Sequence, residues 1–316
     1  MIKYYKTEDN MVQETSTVEK GCWISVVNPS ESEISHIIEE FRLDAGFVKS
    51  SLDEEESSRI EAEDDQTLII IDYPVSYDDP QNPAKLFSTM PMGIILTKTN
   101  VVTISLKDND IIKEMAGNVF KNVNTSHKTR FVLLMLLRVA YKFLQFLKQI
   151  DKLTNFTEKQ LRRTMQNKEL IQLLDLEKSL VYFSNSLKAN EVTLEKILRG
   201  RIIKLYEEDQ DLLEDVLIEI KQAIDMASIY SSITSSTMEA LGSIINNNVN
   251  DVMKSLTIIT VLMEIPNIVF AYYGMNVEDL PVTSNAWFQI VVSLVLMVVI
   301  AVFLNRKKLD RKRGLE

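Results

Sequence analysis

Tyr273-Gly274-Met275-Asn276 sits in a short polar gap between two apolar segments, residues 255–272 and 286–304, close to the end of the chain. Each flanking segment approaches the roughly 20 residues that a helix needs to cross a hydrocarbon core of about 30 Å. Two crossings joined by so short a connection form a hairpin, and both of its outer ends lie on one side of the bilayer. The motif is then the tip of the hairpin, and everything before residue 255 is what leads into it.

Charge orients the hairpin. The 316-residue chain carries a formal charge of −10, but residues 306–316 hold six Lys/Arg against two acids, which leaves −14 on residues 1–305. Arg306, Lys307, Lys308, Arg311, Lys312 and Arg313 follow the second apolar segment, so the positive-inside rule makes this tail cytoplasmic. Two crossings bring the amino-terminal part back to the same side, giving a multi-pass protein of the cell (inner or plasma) membrane with both termini cytoplasmic. The loop 277–285 is external, with Glu278 and Asp279 and no Lys or Arg. An acidic body argues against a nucleic-acid partner, because phosphate binding needs a basic face.

Cys22 is the single cysteine, so neither a disulfide framework nor a Cys-rich metal cluster is expected, and the soluble part suits a reducing compartment. MIKYYKTEDN has no apolar stretch of the signal-peptide kind. His36 and His127 are far apart in sequence, and no Gly-rich phosphate loop occurs. No enzyme and no organic cofactor is therefore expected, and ATP-driven transport lacks a motif.

The expected organisation runs in six parts. Residues 1–122 form a cytosolic α/β domain, 123–250 a long helical bundle and stalk, 251–273 a first transmembrane helix, 274–286 an external loop, 287–305 a second transmembrane helix and 306–316 a basic tail. In the first part, residues 23–27, 59–63, 67–75, 91–97 and 101–106 read as strands, and 77–83, rich in Asp, Asn and Pro, as a connection. Ser30 with Glu33 three residues on is a capping box opening a helix. The pattern leaves the sheet topology open. After Ser126, Gly and Pro nearly vanish and apolar residues recur at helical spacing, as in Phe131, Leu134, Leu137, Ala140, Phe143 and Leu147. The last long helix begins near Tyr206 and meets no proline until Pro266.

That helix carries an unusual stripe. Steps of three and four residues give Glu239, Ser243, Asn246, Asn250, Met253, Thr257, Thr260, Glu264, Asn267 and Ala271, most of them polar or small. Glu264 lies deep in the first apolar segment, where a lone charge costs at least about 2.5–3.5 kcal/mol on insertion scales. Pro266 removes a backbone donor and frees the carbonyl of Leu262, to face a pore or a neighbouring helix. One helix cannot enclose an aqueous path, so the stripe implies several copies around an axis. The bland alternative is a kinked anchor whose polar residues hold a bundle together.

These features resemble the CorA family of divalent-cation channels. The resemblance lies in the two-crossing end, the Tyr-Gly-Met-Asn motif between the crossings, the long preceding helix, the basic tail and Asn-Asp-Val-Met-Lys-Ser-Leu-Thr-Ile-Ile at 250–259. It implies a CorA-like funnel: an α/β cytosolic domain, a long-helix stalk and two transmembrane helices, assembled as a homopentamer in membrane lipid. It also implies gated, passive transport of hydrated Mg2+, with Co2+ or Ni2+ as further divalent cations. Gly274, Met275 and Asn276 would form the selectivity mouth, approached past Glu278 and Asp279. Asn250, Met253, Leu256, Thr257, Thr260, Glu264 and Asn267 would line the pore, with Leu256 at a constriction that gates by dewetting. Mg2+ would also be a regulatory ligand, held between subunits by Asp215 of the stalk and Asp78 or Asp79 of the cytosolic domain.

The chain departs from the family pattern at Glu264, where the family carries an apolar pore residue, and at Asn267, which stands for a small hydroxylic one. These departures keep a Zn2+ or proton-coupled transporter using Glu264 open. A non-conducting, membrane-tethered helical scaffold also remains, although it leaves the stripe and the motif unexplained.

Overall fold

The computed structural model describes residues 1–79, 82–119, 123–164, 166–200, 202–275 and 286–313, with the side chains of 78–79, 82–86, 200, 286 and 304–313 excepted. Two compact units divide the chain, Met1–Met238 and Glu239–Glu316.

In the first unit, seven strands form one sheet: β1 (Ile2–Glu8), β2 (Met11–Thr15), β3 (Trp23–Val27), β4 (Arg59–Glu63), β5 (Gln66–Asp79), β6 (Asn82–Leu96) and β7 (Val101–Ser105), in the order β2-β1-β3-β7-β6-β5-β4. Among the described residues only β3 and β7 pair in parallel, Trp23 opposite Val101 through Val27 opposite Ser105. Side chains alternate across a strand, so a run such as Leu68-Ile69-Ile70-Ile71 is apolar throughout only if both faces are covered. Both are. Leu68 and Ile70 point into a layer with Ile37 of α1 (Glu31–Phe41) and Phe47 and Val48 of α2 (Ala45–Ser50). Ile69 and Ile71 point the other way, into a core with α3 (Asp110–Ala116), α4 (Lys128–Thr164) and α5 (Asn167–Gly200).

Local chemistry fixes several of these elements. Ser30 accepts from the Glu33 amide while Glu33 reaches back to the Ser30 amide, completing the capping box at α1. Trp23 is fully buried, stacked on Tyr5 at 4.7 Å and tilted against Phe131 at 5.2 Å, and its indole N–H donates to Thr103 Oγ1 at 2.9 Å. Gly93 lets α2 lie close against the sheet: a Cβ there would stand 1.9 Å from Ser51 Oγ.

The structure differs from the sequence expectation at two places. Residues 77–79 and 82–83 are strand rather than connection, because β5 runs on to Asp79 and β6 starts at Asn82, with Asp79 opposite Asn82. Cross-strand pairing over Tyr73–Tyr77 and Leu86–Met90 carries these strands past the ends of β4 and β7 and overrides the weak strand propensity of Asp, Asn and Pro. The hairpin β1–β2 had no expected counterpart. Its signal was Asp9-Asn10, both at positive φ, the requirement of a two-residue turn of the primed type.

One sheet position is closed by a helix. Beyond the end of β4, the Asp72 N–H donates to Asn190 Oδ1 at 3.0 Å and the Asp72 carbonyl accepts from Asn190 Nδ2 at 2.8 Å. The amide of this fully buried α5 residue thus replaces a missing strand.

α6 (Glu207–Tyr273) is a single helix of 67 residues with Pro266 inside it, and α7 (Ala286–Arg313) follows. The division between the units falls within α6. α7 extends helically into the basic tail, past residue 305.

Candidate ion path

The second unit is built from the end of α6 and from α7. α6 contains a stretch apolar and long enough to cross a membrane, with mean hydropathy 1.6 and only 11 % of it buried, and α7 contributes the shorter apolar run Trp287–Phe303. A core helix of a soluble protein would hide such a surface, whereas here Val252, Ile259, Met263 and Ile268 of α6 and Val295, Val298 and Val302 of α7 all remain exposed.

From Ser255 onward, the buried positions among the described residues are Ile265 (7 % exposed) and Val269 (8 %) on α6 and Ser293 (4 %) on α7. Half-buried Ile258, Leu262, Pro266 and Tyr273 continue the α6 row; Gln289, Val292, Met297 and Ile300 continue that of α7. Both rows step by threes and fours, the period of two helices packed along a seam. At about 100° per residue, Met253, Thr257, Thr260, Glu264 and Asn267 lie roughly half a turn from the α6 seam. All five are exposed, as are Asn250 and Leu256. The polar stripe therefore does not hold this hairpin together. The seam side also takes Leu262, so the carbonyl freed by Pro266 belongs to the covered side rather than to the stripe.

Hydrogen bonding sets what the stripe presents. The Thr257 hydroxyl donates to the Met253 carbonyl at 2.8 Å and that of Thr260 to the Leu256 carbonyl at 2.9 Å. Both hydroxyl hydrogens are committed inside the helix, and the outward lone pairs remain as acceptors. Asn267 Nδ2 donates to Glu264 Oε2 through a long bond of 3.4 Å.

At the tip, Gly274 ends α6 by donating its N–H to the Phe270 carbonyl at 2.8 Å. A Cβ on it would approach that carbonyl to 3.1 Å, so the glycine serves a close approach to the last helical turn. Met275 is exposed, and the Tyr273 ring meets those of Tyr272 and Phe288. Asn276, Glu278 and Asp279 lie outside the described residues.

The acids near the start of α6 have different surroundings. Glu208 pairs with Arg130 at 3.3 Å, and Asp209, almost buried, lies 4.0 Å from the same guanidinium and accepts from the Tyr206 amide. Asp211, Glu214 and Asp215 are exposed, on one face with Ile218. Asp78 and Asp79 end β5, and their side chains lie outside the described ones. Among the described residues no group of three or more Asp, Glu, His or Cys is placed to hold a metal ion. Sequence reasoning missed the Tyr273–Phe288 contact and the pairing of Asn190 with Asp72; neither partner is signalled by local spacing.

Comparison with known proteins gives concordant results. The family model described as CorA-like Mg2+ transporter protein matches residues 18–307. A cobalt/magnesium transport protein CorA of Methanocaldococcus jannaschii is 27% identical over 296 residues, 90% of this chain and 90% of its own. The protein of the same description from Thermotoga maritima is 26% identical over 234 residues, 69% of this chain and 64% of its own. The complete structure of the M. jannaschii CorA magnesium transporter superposes with a TM-score of 0.81 at 21% identity, covering 97% of this chain and 98% of that one.

Proposed function

The chain belongs to the CorA-like Mg2+ transporter family, a family of ion transporters and not of enzymes, and from that premise we propose that it carries hydrated Mg2+ passively across a membrane through a gated pore. Co2+ and Ni2+ are further cargo of the same charge. One observation carries the reading: the polar stripe of α6 lies on the face away from the seam with α7, exposed along its length. Such a face suits neither lipid nor the hairpin's own packing, and it is accounted for when copies of α6 surround a common axis. The assembly is a homopentamer in membrane lipid, with both termini cytoplasmic and no nucleic acid or organic cofactor.

Mg2+ gives up its water reluctantly, so a mouth that recognises the hydrated ion avoids the dehydration cost. Asn276 supplies that ring of amide oxygens, Gly274 and Met275 shape the turn, and Glu278 and Asp279 raise the local cation concentration. Thr260, Thr257, Leu256, Met253 and Asn250 continue the path inward, and Leu256, 56% exposed, narrows it to an apolar ring that gates by dewetting. Cytosolic Mg2+ bound between Asp215 and the Asp78 or Asp79 of an adjacent subunit bridges like charges and favours the closed state.

A second reading, a Zn2+ or proton-coupled transporter, is favoured by the exposed carboxylate of Glu264 within the apolar stretch. Liposomes containing the purified protein separate the two. Mg2+ uptake down its gradient, without ATP or a pH difference, is expected, and Asn276→Ala should abolish it at unchanged assembly size by light scattering. Uptake that requires a pH difference selects the coupled transporter, and intact assemblies without uptake remove the channel.

A further inference from the structure

We infer that Glu264 and Asn267 form a cation-binding station within the crossing, where a divalent ion contacts carboxylate oxygen directly; Glu264 is the binding group and Asn267 its positioning residue. This rests on the pore proposed above and assigns it a second, chemically different site below the mouth.

Glu264 is the sole charged residue between Lys254 and Tyr273. Charge at this depth is costly unless something compensates it. Among the described residues, no Lys or Arg pairs with it. Lys254, the nearest cation along the helix, is about 15 Å away at about 1.5 Å per residue, and it pairs with Asp251 at 3.4 Å. The second helix offers no compensation either: residues 287–303 contain no charge, and the α7-facing row of Ile265 and Val269 lies on the other side of α6. The compensating charge must come from the uncovered side, where the only other groups are further copies of the same stripe and whatever occupies the space between them.

Those copies present oxygen acceptors. Thr257 and Thr260 have spent their hydroxyl hydrogens on Met253 and Leu256 carbonyls, and an Asn267 amide hydrogen points to Glu264 Oε2. That bond leaves Glu264 Oε1 and Asn267 Oδ1 without a partner on their own helix. Carboxylates gathered around one axis repel each other, and a cation among them relieves that repulsion. The result is a hard-oxygen, acceptor-rich ring suited to a divalent cation that has exchanged part of its water shell for carboxylate. An ion would pass the amide mouth hydrated and be held by charge further in.

The test uses full-length protein in detergent titrated with Mn2+, read by loss of the free-ion paramagnetic resonance signal. Glu264→Gln is expected to lose a class of bound Mn2+ that Asp215→Ala retains. Asn267→Ala should keep that class with affinity weakened about threefold to tenfold, as for loss of one hydrogen bond of ordinary strength, the contact being long at 3.4 Å. In liposomes, Glu264→Gln should raise the half-saturating Mg2+ concentration about tenfold and admit Na+ at Mg2+ concentrations that exclude it from the wild type, with Glu264→Asp recovering part of both. Equal Mn2+ binding by wild type and Glu264→Gln, at intact assembly size, overturns the station. Unchanged Mn2+ affinity in Asn267→Ala overturns the positioning role. Because Mn2+ binding is read without flux, a wild-type protein that binds but does not conduct refutes the transport reading and leaves the station standing.

Discussion

The ring of Tyr273, the last residue of α6, meets that of Phe288, in the first turn of α7, edge to face with centroids 6.3 Å apart and planes at 87°. This contact joins the two ends of the segment that carries the Tyr-Gly-Met-Asn motif. An edge-to-face pair contributes about 0.5–1.5 kcal/mol beyond the area it buries, enough to hold the ends in register while costing little if lost.

Tyr273→Leu should therefore lower Mg2+ flux several-fold while the assembly survives. Flux into liposomes and the thermal dissociation midpoint of the detergent-solubilised protein check this. A wild-type flux with a lowered midpoint would make the contact purely structural.

Asp215 is exposed and lies about two turns of α6 beyond Glu208, the acid that pairs with Arg130. If it holds regulatory Mg2+, Asp215→Ala should shift the internal Mg2+ concentration that halves flux upward by about tenfold, the loss of one charged ligand. Glu208→Ala should leave that concentration unchanged. An unaltered response in Asp215→Ala removes the residue from regulation.

Asn190→Ala leaves the Asp72 carbonyl without its side-chain donor, while the Asp72 N–H keeps Ser58 Oγ at 3.2 Å, and an orphaned buried polar group costs about 1–3 kcal/mol. The cytosolic unit should melt earlier by calorimetry, with α5 losing amide-exchange protection before the sheet. Asn190→Asp, which keeps the acceptor alone, should fall between the two.

Burial pushes the Asp72 carboxyl above its ordinary value, with Ser186 working weakly against it. The fold thus prefers the protonated acid: this contribution to stability is complete below the ordinary carboxylate pKa and is lost as pH rises through the raised, folded one. Asp72→Asn should melt higher than wild type at about pH 8 and equally at about pH 4. Melting curves across that range decide it, and parallel curves would mean that the carboxyl does not titrate in this window.

Much of the fold was legible because its signals are local. Ser30 and Glu33 announce a cap within four residues, and a long helix from near Tyr206 is announced by a stretch without proline as far as Pro266; that it continues unbroken through Gly242 and Pro266 to Tyr273 is what the structure adds. A Cβ on Gly242 would meet nothing within 4 Å, so no packing demands glycine there. The extensions of β5 and β6 were not legible, since Asp79 and Asn82 suit a turn by themselves and are strand only because they face each other across the pair. For the candidate path, the spacing of Thr257, Thr260, Glu264 and Asn267 placed them on one face, but nothing in the spacing said which way that face points.

The sequence by itself determined the helical hairpin, its basic end, the polar row and the motif between the crossings, because apolar length, charge and three-to-four spacing are properties of contiguous residues. The tertiary structure alone decided that β3 lies parallel to β7, that Asn190 completes the sheet at Asp72, and that Ile265 and Val269 occupy the seam while Glu264 stands away from it. Periodicity fixes the faces of an element. Which face is covered depends on packing that local spacing does not encode, and here it leaves the polar row of α6 uncovered by α7.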